Sequence, residues 1–150
     1  VEWNMVVDPD GEIIDCINLL DRVSKGNSGR VIPLHRDLKD KLIKLYEIEK
    51  VHNKHFDINT SKIVRTERSL TTSPQSIVNL FQRWYLDMGY IGCSSHSGRR
   101  TFITNLSKKL SLVGGSLRDI QGLVGHKNLQ TTQRYIDIDT DCQRELVKLL

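Results

Sequence analysis

Apolar residues recur at helical spacing in two long stretches of the chain. Between residues 36 and 50 one face of the predicted helix is apolar and the rest is charged; the apolar positions are Leu38, Leu42, Leu45 and Tyr46. A second helix is predicted from Ser73, an N-cap followed by proline, to about Met88, where Gly89 can end it. Its apolar positions, also at core spacing, are Ile77, Phe81, Trp84 and Met88. Both apolar faces are therefore predicted to be core.

Shorter helices follow toward the C-terminus. One begins at about His96 and carries an apolar stripe made of Phe102, Ile103, Leu106 and Leu110. The next begins at Ser116, where Asp119 gives a variant of the capping box, and Gly125 is expected to end it in the left-handed conformation. Its predicted buried face consists of Leu117, Ile120 and Val124. A last helix is predicted to begin near residue 128 and to carry Tyr135 two turns in.

Extended structure is predicted only near the N-terminus. Residues 8–11, Asp-Pro-Asp-Gly, form a turn sequence, and residues 12–17 are a strand candidate. Two further extended runs, residues 19–23 and 30–33, flank a turn rich in Gly, Asn and Ser, which predicts a β-hairpin with Lys25 near its tip. The predicted fold class is mainly α, an α+β fold with a small antiparallel hairpin or three-stranded sheet.

Composition indicates a single domain that is compatible with nucleic acid. The chain has 150 residues, a net charge of +4 and a pI near 9.0. No apolar run is long enough to span a membrane. Cys16, Cys93 and Cys142 are widely spaced and form no C-x-x-C motif, so we expect reduced thiols in a cytoplasmic protein.

Four side chains form the candidate site. His96 and Arg99 are separated by one helical turn and so project from one face of a helix N-terminus, which favours anions. His126 follows the Gly125 break, and Tyr135 comes nine residues later. A tyrosine side chain has a reference pKa near 10, so neighbours must accept its proton if it is to act as a nucleophile. Arginine and imidazole donors suit the charge that develops on a phosphate under in-line attack, without a metal.

Each of these residues alone has an ordinary structural explanation, but their joint order and spacing is hard to obtain by chance. The segments are residues 96–104 (HSGRRTFIT), 123–135 (LVGHKNLQTTQRY) and 24–34 (SKGNSGRVIPL). From about Leu19 to its end, the chain resembles the C-terminal catalytic domain of tyrosine recombinases, the phage integrase family.

The resemblance implies a role for each matching residue. Tyr135 corresponds to the nucleophile, Arg99 to the arginine that grips the non-bridging oxygens, and His96 to the histidine that assists as donor or proton acceptor. His126 corresponds to the histidine that orients and stabilises the phosphate. Lys25 corresponds to the hairpin lysine that protonates the leaving 5′ oxygen, although its local sequence alone favours a solvated turn lysine.

The resemblance also implies the reaction and the partners. A site-specific recombinase or integrase would cleave and rejoin double-stranded DNA through a 3′-phosphotyrosyl link, without metal or cofactor. It would act as a homotetramer on DNA, with the C-terminal segment docking on a neighbouring protomer or folding back on its own domain. Two alternatives stay open, a type IB topoisomerase-like enzyme and a DNA-binding module without catalysis.

Residues 1–150 lack two features of the family pattern. A first catalytic arginine, followed closely by an acidic residue, has no counterpart, and Val1 to Asn4 resemble the segment after the helix that carries it. We therefore expect an N-terminally truncated catalytic domain without the N-terminal DNA-binding domain. Three arginines, Arg30, Arg65 and Arg68, are candidate DNA contacts. The H-x-x-H at residues 52–55 has no further ligands at metal spacing and is predicted to be a surface turn.

Overall fold

The computed structural model describes residues 1–24, 29–65, 72–136, 143–144 and 147–148. Contacts between Cα atoms divide the chain into two compact units, Val1–Leu80 and Phe81–Leu150. The described elements are, in chain order, β1 (Cys16–Leu19), β2 (Arg30–Pro33), α1 (Arg36–His52), α2 (Pro74–Asp87), α3 (Ser97–Lys109), α4 (Leu117–Val124) and α5 (Leu129–Gln133). Short 3-10 segments add Trp3–Met5, Asp21–Val23 and Leu110–Val113. The predicted fold class, mainly helical with a small antiparallel sheet, is confirmed.

The first unit is built on a cluster of aromatic rings. The Trp3 ring centroid lies 5.0 Å from that of Tyr46 and 6.2 Å from that of Phe56. Trp3 is fully buried, and Leu42 and Tyr46 present the inner face of α1 to the same core. Pairs of aromatic rings at such distances add to the stabilisation from burial. Of the α1 positions predicted to be core, Leu38 is exposed, and that part of the prediction is wrong.

A two-stranded antiparallel hairpin joins this core. Strand β1 pairs with β2 in the register Cys16–Pro33 to Leu19–Arg30. The hairpin is confirmed. Its first strand ends at Leu19, whereas residues 19–23 are predicted to be extended, because Asp21–Val23 forms a 3-10 segment instead. The Asp21 carboxylate accepts a hydrogen bond of 2.6 Å from the Gly29 N–H, which closes the base of the loop. Lys25, predicted near the tip, lies outside the described residues.

A buried ion pair links α1 to the segment that follows it. Glu49 is 7% exposed, and its two carboxylate oxygens accept hydrogen bonds of 3.0 and 2.9 Å from Nε of Arg65. The Arg65 Nη2 lies 2.9 Å from the same carboxylate. The Arg65 guanidinium therefore neutralises a buried charge in the first unit, and a DNA contact by this residue stays a prediction. Arg68 lies outside the described residues.

The apolar stripe of α2 is more exposed than its spacing predicts. Ser73 caps the helix as expected, its hydroxyl oxygen accepting a hydrogen bond of 3.1 Å from the Ser76 N–H. Trp84 is 49% exposed and Met88 is 58% exposed, so the prediction that these positions are core is wrong. The aromatic residues instead contact each other along the helix, with the Trp84 ring 5.6 Å from Phe81.

The second unit has a small aliphatic core. Ile103 of α3 packs with Ile120 and Val124 of α4, and all three are nearly inaccessible to solvent. The flanking positions are partly buried: Leu106, Leu110, Leu117 and Tyr135. Phe102 is 49% exposed, so its predicted place in the core is wrong. The described helices include none that is long and apolar enough to cross a membrane.

Helix α4 has defined ends that agree with the prediction. At its start the Asp119 carboxylate accepts hydrogen bonds from the Ser116 N–H at 2.7 Å and from the Ser116 hydroxyl at 2.9 Å. These hydrogen bonds hold the pKa of Asp119 below its usual value. At its end Gly125 adopts φ 69°, a left-handed conformation that glycine reaches without a Cβ penalty. The chain therefore leaves α4 in a fixed direction toward His126.

Candidate active site

The site begins at the N-terminus of α3. His96 is the residue before the first turn, and its backbone oxygen accepts a hydrogen bond from the Arg100 N–H at 3.0 Å. The Ser97 hydroxyl oxygen accepts a hydrogen bond of 2.9 Å from the Ser94 N–H, which holds the entering chain. The predicted helix start is confirmed, and it places His96 and Arg99 one turn apart at the exposed end of the helix, while Ile103, one turn further along the same face, is buried.

Arg99 connects α3 to the end of α4. Its Nη2 donates a hydrogen bond of 2.6 Å to the backbone oxygen of Val124, the last residue of α4. A charged donor at this distance to a carbonyl forms a strong hydrogen bond. The bond joins Arg99 to the residue two positions before His126, so two candidate residues that are far apart in sequence are held in one local structure.

His126 is held by its backbone and by its ring. Its N–H donates to the Gln121 oxygen at 3.2 Å, and the Gln121 side-chain amide donates to the His126 oxygen at 2.9 Å. The Nδ1 atom of its imidazole lies 3.0 Å from the hydroxyl oxygen of Thr132. Both the position of the backbone and the rotation of the ring are therefore defined by contacts within α4 and α5.

Tyr135 lies in a turn and not within a helix. Helix α5 ends at Gln133, so the prediction that Tyr135 stands two turns inside a helix is wrong. Its N–H donates to the Thr132 oxygen at 3.1 Å, and its own backbone oxygen accepts a hydrogen bond of 2.8 Å from the Thr104 hydroxyl of α3. The phenol ring is nearly parallel to the His126 imidazole, with centroids 5.8 Å apart and planes at 19°.

Within the second unit, His126 and Tyr135 are thus in direct ring contact, and Arg99 is bonded to the residue two positions before His126. His96 shares the first turn of α3 with Arg99, and its imidazole makes no hydrogen bond or ion pair with any other described residue. Lys25 belongs to the residues that the structure leaves undescribed, so its place relative to the other four is still a prediction. Within the described ranges no three His, Cys, Asp or Glu side chains gather as metal ligands.

Two threonines that the sequence did not single out hold these groups in place. Thr104 fixes the Tyr135 carbonyl, and Thr132 contacts the His126 ring. Thr132 lies on a helix face that the apolar pattern could have revealed, since it falls three residues after the half-buried Leu129. A buried hydroxyl on such a face needs a hydrogen-bond partner, which is the signal that could have identified Thr132. Thr104 is only half-buried, and the sequence offers no such signal for it.

Comparison with known proteins places the chain in a family. The model of the phage integrase family matches residues 2–141, which is nearly the whole chain. The chain therefore belongs to the phage integrase family, the tyrosine recombinases.

Two curated relatives and one solved structure illustrate the likeness. The chain is 31% identical over 132 residues to the tyrosine recombinase XerA of Pyrococcus horikoshii, a match that covers 87% of this chain and 42% of the relative. It is 28% identical over 118 residues to the tyrosine recombinase XerC of Proteus mirabilis, covering 78% of this chain and 36% of the relative. The crystal structure of a XerA recombinase shares the fold, with a TM-score of 0.70 at 20% identity over 99% of this chain and 50% of the other. This chain thus spans half or less of the length of these proteins.

Proposed function

We propose that this chain carries the strand-transfer chemistry of a site-specific DNA recombinase. In this proposal Tyr135 attacks a phosphodiester of duplex DNA, its phenol oxygen bonds to phosphorus, and the bond to the 5′ oxygen breaks. The product is a 3′-phosphotyrosyl link and a free 5′ hydroxyl. Attack by the 5′ hydroxyl of another strand reverses the step and joins the DNA, so no nucleotide or metal is consumed.

The stacked pair of His126 and Tyr135 carries the proposal. A phenol and an imidazole that lie nearly parallel, with centroids 5.8 Å apart, can face the same small anion from one side. Arg99 is tied to the same local structure by its 2.6 Å bond to Val124. Hydrogen-bond donors that already point at the developing charge make the largest single contribution to transition-state stabilisation in many enzymes, because they need no reorganisation during the reaction.

The other candidate residues have complementary roles in the proposal. Arg99 binds the non-bridging oxygens, and His96 accepts the phenol proton or donates to a phosphate oxygen from the N-terminus of α3, where free amides favour an anion. Lys25 protonates the leaving 5′ oxygen. General acids typically increase the reaction rate by about 10²–10⁴-fold. Assembly as a homotetramer on DNA, with residues 141–150 docking on a neighbour, belongs to the same proposal, and most of that segment lies outside the described residues.

A covalent trap tests the proposal without knowledge of the target site. The chain is incubated with a pool of 5′-labelled duplexes of randomised sequence, each nicked a few nucleotides on the 3′ side of the possible cleavage positions. Cleavage releases the short 5′-hydroxyl fragment, which diffuses away and leaves the label attached to protein. We expect a labelled adduct that survives denaturation, and peptide mapping that locates the link at Tyr135.

Two tyrosine variants make the test specific. Tyr135→Phe should abolish the adduct, because it removes the only oxygen of the ring, and Tyr90→Phe, at an exposed tyrosine of the same unit, should leave it unchanged. Salt-sensitive DNA binding without any adduct would contradict the proposal that the chain is an enzyme and would favour a DNA-binding module without catalysis. An adduct-forming protein that relaxes a supercoiled circle but never exchanges strands between two sites would instead indicate the topoisomerase alternative.

A further inference from the structure

A buried hydroxyl contacts the imidazole of His126. Thr132 is polar and yet has no exposed surface. Its hydroxyl oxygen lies 3.0 Å from Nδ1 of His126, and among the residues that the structure describes this is the only hydrogen-bond partner of that hydroxyl. Since buried polar groups are nearly always paired, the direction of this hydrogen bond follows from what the buried hydroxyl requires.

The proton count decides that direction. A neutral imidazole carries one proton, on either Nδ1 or Nε2, and a threonine hydroxyl has one proton to donate. If Nδ1 carried the imidazole proton and donated to Thr132, the hydroxyl proton would be buried with no acceptor among the described residues. If Thr132 donates to Nδ1, both groups are satisfied and the imidazole proton is on Nε2.

We propose that Thr132 is a positioning residue that holds His126 as the Nε2–H tautomer. The hydrogen bond that one ring nitrogen makes determines which proton the other presents. With the proton on Nε2, the outer edge of the ring offers a donor to an anion; with the other tautomer it would offer a lone pair and repel one. Because Tyr135 stacks on this ring, the same contact also limits the rotation of the plane against which the phenol packs.

The catalytic consequence rests on the proposed function, whereas the tautomer does not. The tautomer can be read in the free protein by long-range proton–nitrogen correlation spectra of histidine labelled with ¹⁵N. The measurement is made at about pH 8, where a free imidazole is neutral. The His126 signals are assigned by their loss in His126→Asn. We expect the Nε2–H pattern in the wild-type chain and a mixture of tautomers in Thr132→Val.

A set of matched variants tests the effect on the site. Thr132→Val keeps the size and shape of the side chain and removes the hydroxyl. Thr132→Ser keeps the hydroxyl and removes the methyl group. Thr131→Val makes the same chemical change one residue earlier on α5, at a hydroxyl with no hydrogen bond to a described residue. We expect Thr132→Val to slow adduct formation with the nicked duplexes by about 10-fold or more, up to the roughly 10²–10³-fold that loss of one direct donor causes, at unchanged DNA affinity. Thr132→Ser should recover most of the rate, and Thr131→Val should behave as wild type.

The two readouts separate the possible failures. A wild-type spectrum with the proton on Nδ1 would overturn the inference, whatever the activity. An Nε2–H spectrum that becomes a mixture in Thr132→Val, in a chain that forms no adduct, would uphold the role of Thr132 and count against the proposed function. Equal loss of adduct in Thr132→Val and Thr132→Ser would show that the packing of the whole side chain, and not its hydroxyl alone, limits the reaction, and would also overturn it. If Thr132→Val does not fold, the wild-type spectrum and Thr132→Ser still decide.

Discussion

The two compact units of this chain are held together by different kinds of interaction. In the first, three aromatic rings lie 5.0 to 6.2 Å apart in one core: Trp3, Tyr46 and Phe56. The second has a core of three aliphatic side chains, and hydrogen bonds from Arg99, Thr104 and Thr132 connect its short helices and turns. Burial of apolar surface is strong but has no preferred direction, whereas hydrogen bonds impose distances and angles.

This difference separates stability from positioning. All four candidate residues that the structure describes lie in the unit with the smaller core and the more specific polar contacts. A site that must aim donors at a phosphate requires fixed directions more than it requires buried area. Changes in the first unit should therefore lower the free energy of unfolding, while changes in the second should mainly disturb the geometry of the site.

The largest effect is expected from Trp3→Ala. Removal of a fully buried tryptophan should cost about 3–5 kcal/mol of unfolding free energy. The chain has two tryptophans, so Trp84 in the second unit remains as a fluorescent reporter. Urea unfolding followed by circular dichroism and by fluorescence measures the loss.

Trp84→Ala is the matched control. Trp84 is 49% exposed, and its removal should cost less than about 1 kcal/mol. Equal shifts of the urea midpoint in the two variants would contradict the view that the aromatic core stabilises the first unit.

A smaller effect is expected from Glu49→Gln. This change removes the charge to which Arg65 is bound through three contacts, and hydrogen bonds between charged groups typically contribute about 2 kcal/mol. Glu47→Gln, two residues earlier, removes an exposed pair with Lys50 at 2.7 Å and should leave the urea midpoint unchanged. If Glu49→Gln were as mild as Glu47→Gln, the pair would have no role in holding residues 57–65 against α1.

The smallest effect is expected at the start of α4 and depends on pH. Hydrogen bonds from the Ser116 N–H and hydroxyl lower the pKa of Asp119 below its ordinary value of 3.8, so the folded state favours the carboxylate. The stabilisation is therefore complete above pH 3.8 and is lost as the pH falls below that value, through the lowered pKa. Urea midpoints of wild type and Asp119→Asn should differ at neutral pH and converge in acid. A difference that stays constant down to about pH 2.5 would show that the charge of Asp119 is not involved.

Much of the second unit could be predicted because its signals are local. Ser116 and Gly125 mark both ends of α4, since caps depend on residues close in sequence. The apolar periods of α3 and α4 likewise identified the core, although the period alone could not show that Phe102 is exposed at the edge of that stripe.

The first strand was placed too early, although the turn before it was predicted. Residues 12–17 were predicted to be a strand, but the Asp8 carboxylate accepts hydrogen bonds from the N–H groups of Asp10 and Glu12, and Ile13 makes only an isolated bridge to Val7. Regular pairing therefore begins at Cys16. Exposure of Trp84 could not be predicted either, since spacing shows which residues share a face but not what covers it.

The contacts at the site itself were beyond a sequence pattern. Thr132 reaches His126 across the turn between α4 and α5, and whether such a contact forms depends on backbone angles at several consecutive residues. Tyr135 was identified correctly as a neighbour of His126 but was placed in the wrong element, because α5 ends after Gln133 without a glycine or proline to mark its end.

The bond from Arg99 to the Val124 carbonyl has a consequence for any anion that approaches. A guanidinium is flat, and its five N–H groups point in fixed directions, so anchoring Nη2 sets the direction of all the others. The loss of side-chain freedom then occurs when the protein folds and not when a ligand arrives, which favours tighter binding. A lysine at this position would keep the positive charge. Its single nitrogen, however, could not bond the Val124 carbonyl and at the same time present N–H groups in fixed directions to an anion.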